Sequence, residues 1–186
     1  MDEVKKQLEY IEEMMATAKE NLAGGSIFYL LWGWLVLLAA LSNYYLLEFA
    51  AFTNHWVTWP VLMSLGGILS IIAGMRLAKR SLVRTKIDRM LQHLWLGFFI
   101  TLIVVLSAIN VVGAEAIYPV LMALYGLGTF VSGSILNFRP LQIGAIVSWV
   151  CAIVAFHTDF ANQLLLISAA IIFSYIVPGH LLALKK

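Results

Sequence analysis

At 186 residues the chain has the length of one ordinary domain, but 62% of its residues are apolar, 12% are charged and the mean hydropathy is +0.91. Soluble domains carry about 25% charged residues, so this composition excludes a soluble globular fold. The formal charge of +2 decides little, because in a membrane protein the placement of charge matters more than its sum.

Residues 1–22 are strongly polar, with Val4, Leu8, Ile11, Met15, Ala18 and Leu22 spaced alternately by four and three. This spacing predicts an amphipathic helix with an a/d seam over three heptads. Gly24 and Gly25 follow and are expected to break it, closing a first region at 1–25. The helix carries six acids against three lysines, so an anionic lipid surface would repel it.

An α-helix needs about 20 apolar residues to cross a hydrocarbon core roughly 30 Å thick. Six windows approach that length: 27–47, 57–77, 93–113, 116–136, 141–156 and 162–182. The fold class expected is therefore all-α: a polytopic membrane domain over 26–186 with six transmembrane helices, preceded by the amphipathic helix. The first apolar run is too long and starts too late for a signal peptide, so it is expected to stay in the mature chain. Cys151, the single cysteine, lies inside the fifth window and can form no intramolecular disulfide.

All 12 Lys and Arg residues fall on one side if the N-terminus is cytoplasmic. The other side carries only Glu48, Glu115 and Asp159, with His55 and His157. The positive-inside rule, strongest over short loops, then predicts the cytoplasmic (inner) membrane with both termini cytoplasmic. Tyr44, Tyr45, Trp56, Trp59 and Tyr118 mark the outer boundary, and Trp95 lies near the inner one.

The chain repeats itself at an offset of 59 residues: Trp59-Pro60-Val61-Leu62-Met63 returns as Tyr118-Pro119-Val120-Leu121-Met122. Leu65, Gly67, Gly74, Leu77 and Arg80 fall on Leu124, Gly126, Gly133, Leu136 and Arg139. A weaker third copy ends the chain at 179–185. Three tandem parallel hairpins, at about 27–77, 93–136 and 141–184, follow from this pattern. Pro60 and Pro119 are expected at helix starts, where a missing N–H leaves no bond unmade. Small residues recur at Gly66, Ser70 and Gly74, at Gly128 and Ser132, and at Ala170 and Ser174. They are candidates for close helix packing or, with Asn43 and Asn110, for the lining of a solute path.

Between the second and third windows, Arg76, Lys79, Arg80, Arg84, Lys86 and Arg89 form a basic segment with a single acid, Asp88. With Val4, Leu8, Ile11, Met15 and Leu22 it makes a candidate interaction surface for a cytoplasmic protein or a second copy. Its charges also suit anionic lipid headgroups, at about 1 kcal/mol per residue. It lacks the interleaved aromatics of a single-strand nucleic-acid site, so no nucleic-acid partner is expected.

No Asp, Glu, Lys or Arg lies at mid-depth in any window, where ionisable groups would mark ion-coupled transport or catalysis. H-E-x-x-H, phosphate-binding glycine loops and G-x-S-x-G are absent. No catalytic, cofactor or metal residue is expected. The function expected is a non-enzymatic scaffold, sensor or regulator. A small-solute transporter or channel is the alternative, and a metal enzyme built on the outer His and acids is the remotest reading.

Overall fold

The structure, a computed structural model, describes residues 2–80 and 86–184, and side chains over 25–79 and 86–184. Among these residues every regular element is a helix, and there are no strands. Its elements are α1 (Asp2–Glu48), a 3-10 turn (His55–Val57), α2 (Thr58–Arg80), α3 (Lys86–Ser107) and a short α4 (Ile109–Val112). These are followed by α5 (Ala114–Ile135), α6 (Arg139–Ala155) and α7 (Phe160–Ile171), which runs through a π turn (Ile172–Ile176) into α8 (Val177–Ala183).

Five stretches are long and apolar enough to cross a membrane: Gly25–Glu48, His55–Lys79, Lys86–Val112, Ala114–Ile135 and Phe160–Ala183. Each matches an expected window to within a few residues, the third beginning seven residues early. The expected fifth window is also a helix, but α6 has only 17 residues, about 26 Å at 1.5 Å per residue, slightly less than a roughly 30 Å core.

Two local expectations are corrected. The break at Gly24-Gly25 is absent, since α1 is one helix of 47 residues. A helix-interior glycine costs roughly 0.5–1 kcal/mol against alanine, which long helical runs on both sides can absorb. Pro119 is also not in the first turn of its helix but inside α5, so its missing N–H does leave a carbonyl, that of Glu115, without its helical donor. Pro60 sits in the first turn of α2 as expected. The side chains of Val4, Leu8, Ile11, Met15, Leu22 and Arg80, and Arg84 entirely, lie outside the described residues.

α5 and α6 pack along their whole length, joined by a three-residue turn. Asn137 takes the left-handed conformation there, φ 49°, and the turn is closed by Phe138 N–H to Gly133 O at 2.8 Å and Asn137 N–H to Ser134 O at 3.2 Å. This is the Schellman arrangement, in which asparagine can replace glycine. The α7–α8 helix lies against α6 on one side and α1 on the other, α2 packs on α1, and α3 packs on α5. The most apolar stretches of α2 and α3 are each only 6% buried, against 61% for α5, which makes α2 and α3 the periphery and α5 the centre.

Close approach decides where the glycines fall. A Cβ on Gly126 would run into the Trp149 ring of α6, and one on Gly133 would sit 2.9 Å from Leu141 Cβ. A Cβ on Gly144 would collide with the Phe173 carbonyl in the π turn. That turn precedes Pro178, whose ring cannot accept a normal α-helical carbonyl from Ser174 and whose N–H is missing. The wider π turn takes up the mismatch. The repeat counterparts Gly67 and Gly74, on α2, meet nothing within 4 Å of a Cβ.

Residues equivalent in the repeat should therefore respond differently. We expect Gly126→Ala to destabilise by about 1–3 kcal/mol through overpacking, because the displaced Trp149 would also lose its bond to α5. Gly67→Ala is expected to be neutral or stabilising by up to about 1 kcal/mol. Thermal unfolding of both variants in one detergent checks the contrast; equal shifts would contradict it.

Candidate functional site

Two regions gather the polar and aromatic groups that could carry function. The first lies at the end of the bundle away from the lysines and arginines. Asn43, fully buried on α1, accepts at Oδ1 a bond from His55 Nδ1 at 2.6 Å. Thr58, opening α2, lies with its hydroxyl 3.3 Å from both Ala39 O and His55 O, so the α1–α2 connection is tied to α1 twice. The His55 ring tilts against Phe160 at 6.1 Å, and Tyr118 stands edge-on to both Phe160, at 5.1 Å, and Trp59, at 5.5 Å. Edge-to-face pairs of this kind contribute about 0.5–1.5 kcal/mol beyond their buried area.

Gln163 of α7 completes this end. It is 2% exposed, and its amide nitrogen donates to Glu115 O at 2.9 Å and to Ala155 O at 3.0 Å, with Thr158 O at 3.3 Å. The first of these is the carbonyl orphaned by Pro119, and the second lies at the end of α6. One side chain thus joins backbone groups of two neighbouring helices: it replaces the helical donor the Glu115 carbonyl lacks, and it adds to the Thr158 N–H and hydroxyl that already reach Ala155 O at 3.3 Å. Asn43 Nδ2, Trp59 Nε1 and Gln163 Oε1 remain buried without a partner among the described residues.

Asp159 caps α7, its carboxylate accepting from the Asn162 side-chain amide at 2.5 Å and from Asn162 N–H at 3.3 Å. The Asn162 side chain, helped by the backbone N–H, holds this exposed carboxyl below its ordinary range. Among the described residues no three His, Cys, Asp or Glu side chains come close enough to hold a metal. Glu48, Glu115, His157 and Asp159 do not converge with His55, which turns inward to Asn43.

The second region is the interior of the bundle nearer the basic end. Rings from four elements meet there: Tyr29 of α1, Trp95 and Phe98 of α3, Tyr125 of α5 and Tyr175 of the π turn. Their centroids lie 5.1–6.2 Å apart along this chain of contacts. Around it the basic residues Arg76, Lys79, Lys86 and Arg89 are exposed.

The small and polar residues singled out above separate by helix pair. Gly66 is buried against Trp32 and Leu35 of α1, and Gly128 against Phe98 and Trp95 of α3. Ser132 is fully buried on α5, and Ser174 gives its hydroxyl proton to Ala170 O at 2.6 Å. Ser70 is half-buried on α2, Gly74 faces open space, and Asn110 is exposed on α4. Sequence reasoning missed Gln163, the His55–Asn43 bond and the ring cluster. For Gln163 a signal existed in the orphaned carbonyl that any mid-helix proline creates. Nothing in the spacing of the others marks them as neighbours.

Gln163→Leu should destabilise by about 1–3 kcal/mol, the penalty for leaving the Glu115 carbonyl without a donor, as read by chemical or thermal unfolding. For Asp159 the folded-state pKa is depressed, so its capping contribution is complete above the ordinary carboxylate value and is lost as pH falls through the depressed one. Asp159→Asn should flatten the acid limb of stability against pH while leaving the neutral limb nearly unchanged. No family model matches the chain, and no curated protein or solved structure matches it either.

Proposed function

We propose that this protein is a non-enzymatic scaffold or regulator of the cytoplasmic membrane. In this reading it crosses six times, with both termini and the basic segment cytoplasmic. It engages a cytoplasmic protein, or a second copy of itself, through residues 1–22 and the basic segment 76–89. The observation that carries this reading is the continuity of α1 from Asp2 to Glu48. Residues 2–24 extend about 34 Å beyond the apolar stretch at helical rise, in one piece with the helix that packs on α2 and on α7–α8. A partner holding that extension gains a lever on the bundle: tilting it moves a helix whose Tyr29 and Trp32 also touch α3.

A solute path would need a continuous polar track. Nearer the basic end the interior of the bundle is filled instead by the rings of Tyr29, Trp95, Phe98, Tyr125 and Tyr175, which interrupts such a track there and favours the regulator over the transporter. Self-association draws support from α2, whose Gly67 and Gly74 leave room for another backbone where their counterparts in α5 are filled by α6.

Affinity purification from gently solubilised membranes tests the reading. We expect a cytoplasmic protein or a second copy to be retained by the full chain and lost both on deletion of residues 1–22 and in Gly25→Pro, which interrupts α1. Equal recovery with all three would remove the basis of the proposal. In a Cys151→Ala background, Ile11→Cys and Ile87→Cys should cross-link under mild oxidation if the acidic helix packs on the basic segment.

A further inference from the structure

A groove of about 280 Å³ runs between α3 and α5, with walls from His93, Gly97, Phe98, Thr101, Leu124 and Gly128. Its shape follows from the residues. Gly97 has nothing within 4 Å of where a Cβ would stand, so the α3 side is open. Gly128 has Phe98 Cδ2 3.2 Å from such a position, so the floor is closed by an aromatic ring. Thr101 donates its hydroxyl to Gly97 O at 2.9 Å, which commits its proton to its own helix. What the groove offers along this length is apolar.

One end of it is cationic. Lys86, Arg89, His93, Gly97 and Thr101 follow one another at intervals of three or four along α3 and share a face. His93 Nδ1 donates to Arg89 O at 2.7 Å, which leaves Nε2 as the nitrogen available to a ligand, a donor once the ring is protonated. Lys86, Arg89 and His93 are all exposed. From His93 to Thr101 the helix rises about 12 Å, close to half of a roughly 30 Å hydrocarbon core. An apolar channel one leaflet deep, opening at a cluster of cations at the headgroup level, has the layout of a single lipid molecule.

We propose that the α3–α5 groove binds a phospholipid with an anionic headgroup from the leaflet at the basic end of the bundle. One acyl chain lies along Gly97, Thr101, Leu124 and Gly128, and the phosphate meets His93, Arg89 and Lys86. Charge decides for lipid over a helix of a second copy, because a copy inserted in the same direction brings its own basic end to the same depth and sets like charges together. The site does not depend on the regulator reading, and either can fail without the other.

Native mass spectrometry of the full-length protein, supplied in turn with dioleoyl phosphatidylglycerol, dioleoyl phosphatidylcholine and inorganic phosphate, tests the proposal. The wild type should retain the anionic lipid roughly 30- to 150-fold better than the zwitterionic one, the size of effect that about 1 kcal/mol for each of two or three cations gives. Inorganic phosphate should not displace it. Gly97→Leu, which fills the open side, should lose the adduct with no fall in unfolding temperature. The triple variant Lys86→Ala, Arg89→Ala, His93→Ala should bind both lipids alike. Equal binding of the two lipids by the wild type, an undiminished adduct in Gly97→Leu, displacement by phosphate, or a change from dimer to monomer in Gly97→Leu would each overturn it, the last by assigning the groove to a second copy.

Discussion

The fold rests on backbone approach at three glycines. In lipid there is no hydrophobic force between helices, because the acyl chains are as apolar as leucine, and close packing with hydrogen bonds must hold them together. Gly126 and Gly133 let α6 lie against α5, and Gly144 lets the π turn lie against α6. Two hydrogen bonds exploit that approach: Ser148 Oγ to Met122 O at 2.8 Å and Trp149 Nε1 to Ala123 O at 3.1 Å. Both run from α6 to the α5 backbone. Around this closely packed unit α1 seats on α7–α8, and the peripheral helices α2 and α3 attach to α1 and α5.

The internal repeat shows that similar residues need not find similar neighbours. α2 and α5 share the aromatic-Pro-Val-Leu-Met start and the glycines that follow, yet only α5 spends them on a following helix. The difference arises in what comes next. After α5 a three-residue Schellman turn folds α6 straight back, whereas α3, which follows α2, packs on α5 instead. Gly67 and Gly74 of α2 are left free by connectivity, not by any change in the glycines themselves.

Side-chain amides and charges gather at the ends of the bundle, whereas between them the buried hydroxyls of Thr129, Ser148, Ser168 and Ser174 are tied to backbone carbonyls among aromatic and apolar side chains. Gln163, Asn43 and His55 satisfy backbone and side-chain groups at one end, and the exposed cations occupy the other. Between them the ring cluster ties α1, α3, α5 and the π turn. A helix that begins well outside this cluster and runs into it is well placed to transmit a contact, and a groove beside the cluster, cationic at its mouth, is well placed to take a lipid.

The sequence by itself determined the helices, because an apolar run of about 20 residues is a local property that needs no neighbour to be read. It also determined the charge asymmetry between the two ends and the existence of the repeat. Only the tertiary structure decided which face each helix shows. Gly67 and Gly126 look alike in the chain and differ entirely in their surroundings, and the His55–Asn43 bond and the five-ring cluster join residues whose spacing carries no signal. Continuity of α1 through Gly24-Gly25 was also hidden, since the preference of glycine against helix is weaker than the cooperativity of the flanking turns. Pro119 was misplaced for a related reason. A proline signals where a donor is missing, but whether the carbonyl it abandons finds another depends on a side chain 44 residues later, Gln163, which only packing brings within reach.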